Sequence, residues 1–436
     1  MVPEPRETTA LPSSGRPHAR PSTAACSPPT TLQAMWRRLA LTHLSVIQEG
    51  CIALHEGDRS QVFGSPHGAG PAVRIDVHDA AFYGALLWRS DTGAGLSYAR
   101  GDWSCDDLTE IIRLFIRNTE PTAALQTGLF TRLHGWALRL QHFRQRNTPS
   151  GSRRNIAAHY DLGNDFFASF LDSSMTYSCG LFPHQDASLE EASGNKNEHI
   201  CRVLGLKPED EVLEIGCGWG GFALHAARRH GCRVVAVTIS PRQFAVASRR
   251  VQDAGLQDQV QVLLEDYRDL PQKLSRKFSR VVSIEMIEAV GHRFLDAYFS
   301  TCSRMLRQDG AMLLQGILMS DRLHQEYLRS VDFIRACIFP GGCLPSLSSI
   351  SQALARSSDL RVAGLEEMTH HYPPTLMAWQ KRLLAQQEHL AHRGYGQELI
   401  RLWEFYFSYC AAAFLERRIG VNQILLAKPG YQPAGA

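Results

Sequence analysis

No stretch of the 436-residue chain approaches the roughly 18 consecutive apolar residues that a membrane-spanning helix needs. LLQGILM (313–319) and CAAAFL (410–415) are the longest kind of run, and both are core-sized. No Cys-x-x-Cys pair occurs. The 11 cysteines are scattered and odd in number, which argues against a disulfide scaffold or a structural zinc site and for a reducing, cytoplasmic compartment. Neither sign of charge dominates: 46 basic residues stand against 43 acidic, a formal +3, which makes no case for nucleic acid. With 34 glycines and 21 prolines the chain is too poor in both for a collagen-like or low-complexity protein. The N-terminus lacks the apolar stretch of a secretory signal, so no export is expected. Residues 1–30 instead carry seven prolines among Ser, Thr and Ala and read as a disordered tail; a transit-like sequence or a start further downstream are the alternatives.

Hydrophobic residues at 44% and charged residues at 20% are ordinary for a globular protein with sizeable cores. At about 150 residues per domain the length suggests two or three domains. Residues 31–125 read as a small α+β unit. CIALHEG, SQVFGS and AVRIDV are short strands, and DAAFYGALLWRS and DDLTEIIRLFIRNT are helices that open with aspartates able to cap them. Residues 126–154 read as a basic amphipathic linker helix. Leu129, Leu133, Trp136, Leu140 and Phe143 recur at helical spacing, beside a stripe of Arg132, Arg139 and Arg146. Such a helix suits an anionic membrane surface, or an interdomain face with a solvated arginine edge. Residues 155–436 alternate strand and helix from about 205 onward, which predicts a doubly wound, Rossmann-like α/β sheet. Residues 320–395 break that rhythm and are expected to form a helical insertion before a last helix and strand.

The strongest local signal is Glu214-Ile-Gly216-Cys-Gly218-Trp-Gly220-Gly221, after an apolar strand. Glycines there let the backbone turn sharply and approach a ligand at the next helix's N-terminus. An acid before the first glycine, and GxGxGG rather than GxGxxG, suits S-adenosylmethionine better than a dinucleotide. The second strand ends in Thr238-Ile-Ser240, without the usual ribose-binding acid. A second block, Asn155 to Phe167, contains His159 and Tyr160 and leads to Met175-Thr-Tyr177-Ser178-Cys179. It is rich in hydrogen-bonding groups and reads as a lid over a cofactor. A third block, Ser283-Ile-Glu285-Met-Ile-Glu288, puts two acids at the carboxyl end of a strand. Glu285 there is either a surface cap or a site residue, and Glu288, deeper in an apolar run, is a site residue. Trp403, Phe405, Tyr406, Phe407, Tyr409 and Phe414 form an aromatic stripe, which reads as core with some members free to line a channel.

From about residue 50 to 430 the chain resembles the cyclopropane-fatty-acyl-phospholipid synthase family, which includes the mycolic acid cyclopropane synthases. The matching blocks are HYDLGNDFF, TYSCGLF, VLEIGCGWGG, VTISPRQ, LEDYRDL, SIEMIEAVG, IFPGGCLPS and HYPPTLMAW, with GLSYARGDWSCDDL (95–108) resembling the family's lipid-engaging domain. The resemblance implies a class I methyltransferase that moves the methyl of S-adenosylmethionine to the cis double bond of an unsaturated phospholipid acyl chain. Bound bicarbonate then removes a proton and a cyclopropane ring closes. It places Tyr177, Ser178, Glu214, Gly216, Gly218, Gly220, Thr238, Ser240, Gln243, Asp266 and Tyr267 on the cofactor. It places Cys179, Glu288, Gln315, Ile317 and Tyr372 around bicarbonate, with Cys179 an anion contact rather than a nucleophile. A peripheral protein on the inner face of the membrane is implied, and a homodimer is compatible with the family.

The chain departs from its bacterial relatives at Gln315 and Ala289, where histidines are usual, at Leu96, where a glutamate is usual, and at Cys337, where a tyrosine is usual. Gln315 can donate to an anion but carries no charge. If deprotonation falls on a neighbouring chain carbon, a methylene or methyl-branched product results instead of a ring. A lipid- or cofactor-binding protein without catalysis is the reading from another class.

Overall fold

The computed structural model describes residues 30–65, 72–118 and 162–433. The proline-rich tail up to residue 29, the arginine-rich linker helix (126–154) and the block from Asn155 to Asp161, with His159 and Tyr160, lie outside the described residues.

The N-terminal unit runs α1 (Thr31–Leu44), β1 (Cys51–Glu56), β2 (Arg59–Gly64), β3 (Val73–Val77), α2 (Ala81–Arg100), β4 (Trp103–Cys105) and α3 (Leu108–Arg117). Its four strands form one sheet in the order β2-β1-β3-β4. The Asp107 side chain caps α3 by accepting from the Glu110 amide at 2.8 Å. Leu108, Ile111, Ile112 and Leu114 turn one face of that helix into the core. Helix α2 is longer than its sequence suggests, because it runs straight through Gly93 and Gly95. Gly95 has a packing reason: a Cβ there would lie 2.5 Å from the Phe333 ring.

The larger unit carries β5 (Glu211–Ile215), β6 (Arg233–Thr238), β7 (Val260–Leu264), β8 (Phe278–Ile284), β9 (Leu306–Met319), β10 (Arg361–Glu367) and β11 (Ile419–Ala427) in the order β10-β11-β9-β8-β5-β6-β7. Strands β5 to β9 pair in parallel, and β11 runs antiparallel between β9 and β10. Side chains alternate across the sheet, as period two requires. Leu213, Met312 and Leu314 enter one apolar layer, and Val212, Ala311 and Leu313 enter the other. The main helices are α4 (Leu189–Leu204), α5 (Gly221–His230), α6 (Pro241–Asp253), α7 (Leu295–Met305), α8 (Asp321–Arg329), α9 (Leu347–Ser357), α10 (Tyr372–Ala385) and α11 (Gln397–Leu415).

The expected helical insertion needs correction. Residues 320–395 do supply α8, α9 and α10, but they also supply β10, an edge strand of the main sheet. Nearly every β10 side chain is exposed, so no apolar alternation announced it.

Helix α11 is the hub between the two units and packs on α10, α2 and α3. Its aromatic stripe is mostly buried: Phe405 meets Phe333 at 4.9 Å between ring centroids. Asp91 of α2 accepts from the Phe333 amide at 3.1 Å and from the Tyr409 hydroxyl at 2.9 Å, which ties the N-terminal unit to the larger one.

Candidate active site

The first strand of the main sheet, β5, lies between β8 and β6, where the order of connection reverses. Open α/β sheets bind ligands beyond the carboxyl end of a strand so placed. The glycine loop stands there. Gly216, Gly218 and Gly220 have φ of 87°, 52° and 84°, a region that other residues rarely adopt. A Cβ on Gly216 would also lie 2.7 Å from the Met286 side chain.

A cavity of about 440 Å³ opens over this loop. Of the residues expected at the cofactor, Tyr177, Ser178, Glu214, Gly216, Gly218, Thr238, Gln243, Asp266 and Tyr267 line it. Gly220 and Ser240 are placed differently. Gly220 is the N-cap of α5, and Ser240 is the N-cap of α6, accepting from the Gln243 amide at 3.4 Å. Thr238 Oγ1 donates to Gln243 Oε1 at 2.8 Å, which fixes the glutamine side chain against the second strand. Both oxygens of Asp266 are engaged by Arg268. Glu214 is buried and its Oε2 has no hydrogen-bond partner. Burial pushes its carboxyl up to about 8. An orphaned carboxylate oxygen beside the glycine loop fits an ammonium group such as the methionine half of S-adenosylmethionine carries.

The residues expected around the anion do come together. Cys179, Glu288, Gln315, Ile317 and Tyr372 are drawn from a loop, the end of β8, β9 and the start of α10. Their centre is Glu285. Glu285 Oε1 accepts from the Cys179 amide at 2.9 Å and from Gln315 Nε2 at 2.8 Å, and Oε2 accepts from the Tyr372 hydroxyl at 2.6 Å. The surface-cap alternative for Glu285 is therefore wrong: its carboxylate faces inward, at the cavity wall. Its backbone sits at φ 49°, a left-handed conformation that costs a side-chain-bearing residue about 1–2 kcal/mol. Glu288 lies beside it, its Oε1 accepting from the Ile317 amide at 2.6 Å, while Oε2 has no partner. A side chain on Gly316 would meet Ile287 at 2.8 Å, so the glycine lets the strand pass close under Glu288.

The electrostatics separate the two acids. Burial raises both, and Glu288 reaches about 8 because Glu285's charge adds to its desolvation. Three donors work against burial at Glu285, whose carboxyl still stands above the ordinary range, whereas Glu288 lacks such a set of donors and is raised further, so that it keeps its proton at neutral pH. Lys196, fully buried on α4, faces this group. It donates to Ser178 Oγ at 3.0 Å, and its charge is felt at Glu285, Glu214 and Cys179. Burial drives the Cys179 thiol well above its ordinary range, so it is no thiolate nucleophile. Lys196 escaped the sequence reading, and so did Gln423, whose Nε2 donates to Gln315 Oε1 at 3.0 Å. Lys196 stands in a polar helix, NKNEH, and Gln423 in an ordinary strand, and neither position carries a local motif.

The cavity also has a large apolar lining. Ile317, Met319, Ile334, Phe339, Tyr406 and Phe414 contribute to it, and it reaches Ile116 of α3 in the N-terminal unit. The aromatic stripe of α11 thus serves both expected roles, with Trp403 and Phe407 in the core and Tyr406, Tyr409 and Phe414 on the cavity. Elsewhere, Cys201, His225 and His230 converge within 4.8 Å, and Glu198 Oε2 lies 3.1 and 3.2 Å from the Nε2 atoms of the two imidazoles.

Comparison with known proteins agrees with this geometry. The family profile described as mycolic acid cyclopropane synthetase matches residues 147–424. The chain is 36% identical to the cyclopropane-fatty-acyl-phospholipid synthase of Escherichia coli, over 83% of this chain and 89% of that protein. It is 34% identical to a tuberculostearic acid methyltransferase of Mycobacterium tuberculosis, over 78% of this chain and 79% of that one. Among solved structures, a mycolic acid cyclopropane synthase complexed with SAH and CTAB superposes with a TM-score of 0.58 at 32% identity, covering 63% of this chain and 98% of that one. A glycine loop at the sheet's reversal point, an enclosed carboxylate pair beside it and these matches lead to one conclusion: the chain belongs to the mycolic acid cyclopropane synthetase family and is an S-adenosylmethionine-dependent methyltransferase.

Proposed function

We propose that this chain methylates the cis double bond of an unsaturated phospholipid acyl chain and closes a cyclopropane ring, working at a membrane surface to which it is peripherally held. One observation carries the reading: a single cavity is lined by the glycine loop, by the Glu285–Glu288 pair and by apolar side chains such as Ile317, Ile334, Phe339 and Phe414. The relatives named for cyclopropane and fatty-acyl chemistry support it.

S-adenosylmethionine, when bound, supplies an electrophilic methyl group. The chain's own residues do the rest. An alkene is a weak nucleophile, so the site must exclude water and align the double bond. Ile317, Ile334, Phe339 and Phe414 provide apolar walls for that purpose. The proton released afterwards needs an acceptor within reach, and the carboxylate at the wall is one. Bicarbonate, which the resemblance assigns to this position, does not fit the residues present. The groups meant to hold it already donate to Glu285 and Glu288.

Among the described residues no helix is long and apolar enough to cross a membrane. The proposed membrane contact rests on the N-terminal unit, whose α3 contributes Ile116 to the cavity lining, and on the arginine-rich segment before the catalytic unit. The second reading is methylation without ring closure. It is favoured by the 34% identity to a tuberculostearic acid methyltransferase.

The test is transfer of radiolabelled methyl from S-adenosylmethionine into vesicles. Label should enter the lipid fraction of cis-unsaturated phospholipid vesicles and not that of fully saturated ones. Equal labelling of both, or labelling of neither, would contradict the proposal.

A further inference from the structure

We propose that Glu285 is the general base of this enzyme and occupies the seat of an external anion, so that turnover needs no bicarbonate. The inference rests on the methyl-transfer reading above and names the group that completes it.

The donors are already spent. The Cys179 amide, the Gln315 side chain and the Tyr372 hydroxyl all point at Glu285, at 2.9, 2.8 and 2.6 Å. The Ile317 amide points at Glu288 at 2.6 Å. A carboxylate and a bicarbonate offer the same thing to such a cradle, a planar pair of oxygens sharing one negative charge. Here the chain supplies that group covalently. A separate anion would have to displace the Glu285 carboxylate from three hydrogen bonds, or bring a further negative charge directly beside it. The backbone at Glu285 agrees with a built-in role. A side-chain-bearing residue is held at φ 49° at the end of β8, and the consequence is a carboxylate delivered to the cavity wall. Gln315 fits as well. A neutral amide donor suits a cradle already holding a charged side chain, and Gln423 fixes that amide by donating to its oxygen at 3.0 Å.

The step balances without any other reagent. The alkene π pair forms the new bond to the methyl carbon as that carbon's bond to sulfur breaks, leaving S-adenosylhomocysteine and a chain cation. A C–H bond of the transferred methyl then breaks. Its electron pair closes the ring onto the cationic carbon, and the proton passes to Glu285. The proton leaves to solvent on product release, which restores the carboxylate.

The test has two arms on the full chain. The first follows turnover with cis-unsaturated vesicles in carbon dioxide-depleted buffer, with and without added bicarbonate. The wild type should change by less than about twofold, and Glu285→Gln should lose about 100-fold or more, the range of a general base. Glu285→Gly, which relieves the left-handed backbone and opens the seat, should regain about tenfold when bicarbonate is supplied. The second arm titrates 13C-labelled bicarbonate by NMR, with S-adenosylmethionine affinity as the folding control for each variant. Saturable binding to Glu285→Gly but not to the wild type is expected. Saturable binding to the wild type, strong bicarbonate dependence of wild-type turnover, or full activity in Glu285→Gln would overturn the assignment. The NMR arm is read whether or not a lipid product forms, so failure here is distinct from failure of the methyl-transfer reading.

Discussion

Gln423 Nε2 donates to Gln315 Oε1 at 3.0 Å, and this bond decides which end of the Gln315 amide faces Glu285. Without it the amide could turn its oxygen toward the carboxylate and convert an attraction into a repulsion. Gln423→Leu should therefore lower kcat by about tenfold while leaving S-adenosylmethionine affinity within about twofold, since a hydrogen bond to a charged group is worth about 1.5–3 kcal/mol. Steady-state kinetics and calorimetric titration of the cofactor check this. Unchanged kcat would show that the amide is oriented without Gln423.

The buried acids give stability a defined pH dependence. Glu214 and Glu288 are both raised to about 8 from 4.5. They keep their protons in the folded protein at neutral pH and lose them on unfolding. The stability this contributes is present in full below 4.5 and is lost as pH rises through 8. Histidines act in the opposite sense over a lower window. His371 is held down to about 4 by burial, and burial also lowers His225, His292 and His324 below 6.5, so their effect ends where unfolded histidines deprotonate. Between 6.5 and about 8 the acids prevail, and the thermal midpoint should fall. Glu288→Gln should flatten that slope. A midpoint that rises across the same window would contradict the assignment of buried, protonated acids.

Glu214 separates cofactor binding from stability. Its unpartnered Oε2 is expected to accept from the cofactor's ammonium group. Glu214→Gln should weaken S-adenosylmethionine binding by about tenfold or more, the worth of a charge-assisted hydrogen bond. The same change removes a buried ionisable group, so the ligand-free variant should melt no lower than the wild type at pH 8. Calorimetric titration and thermal denaturation measure the two effects. Tight cofactor binding by the variant would remove Glu214 from the cofactor's contacts.

What the sequence announced was local. The turn after β5 needs glycines at alternate positions with positive φ, and the pattern from Glu214 to Gly221 shows them directly. Strands β5 and β6, and β9 from Ala311 to Leu314, are buried on both faces and read as apolar runs. What stayed hidden depends on contacts between distant segments. Glu285 and Glu288 stand three residues apart in one block, and nothing local says which one meets Cys179, 106 positions away. Gln423 reaches Gln315 across 108 positions, between two neighbouring strands. Lys196 looks like any solvated lysine until α4 closes over the site. Strand β10, exposed along nearly its whole length, offered no pattern at all.

The most direct measurement is mass spectrometry of the acyl methyl esters after the purified chain meets S-adenosylmethionine and cis-unsaturated phospholipid vesicles. Cyclopropanation predicts a gain of one CH₂ unit, with fragmentation and NMR showing a ring and the alkene gone. The same gain with the alkene retained would contradict ring closure and assign the chain to methylation alone. No gain, with cofactor and vesicles both bound, would contradict methyl transfer to phospholipid acyl chains.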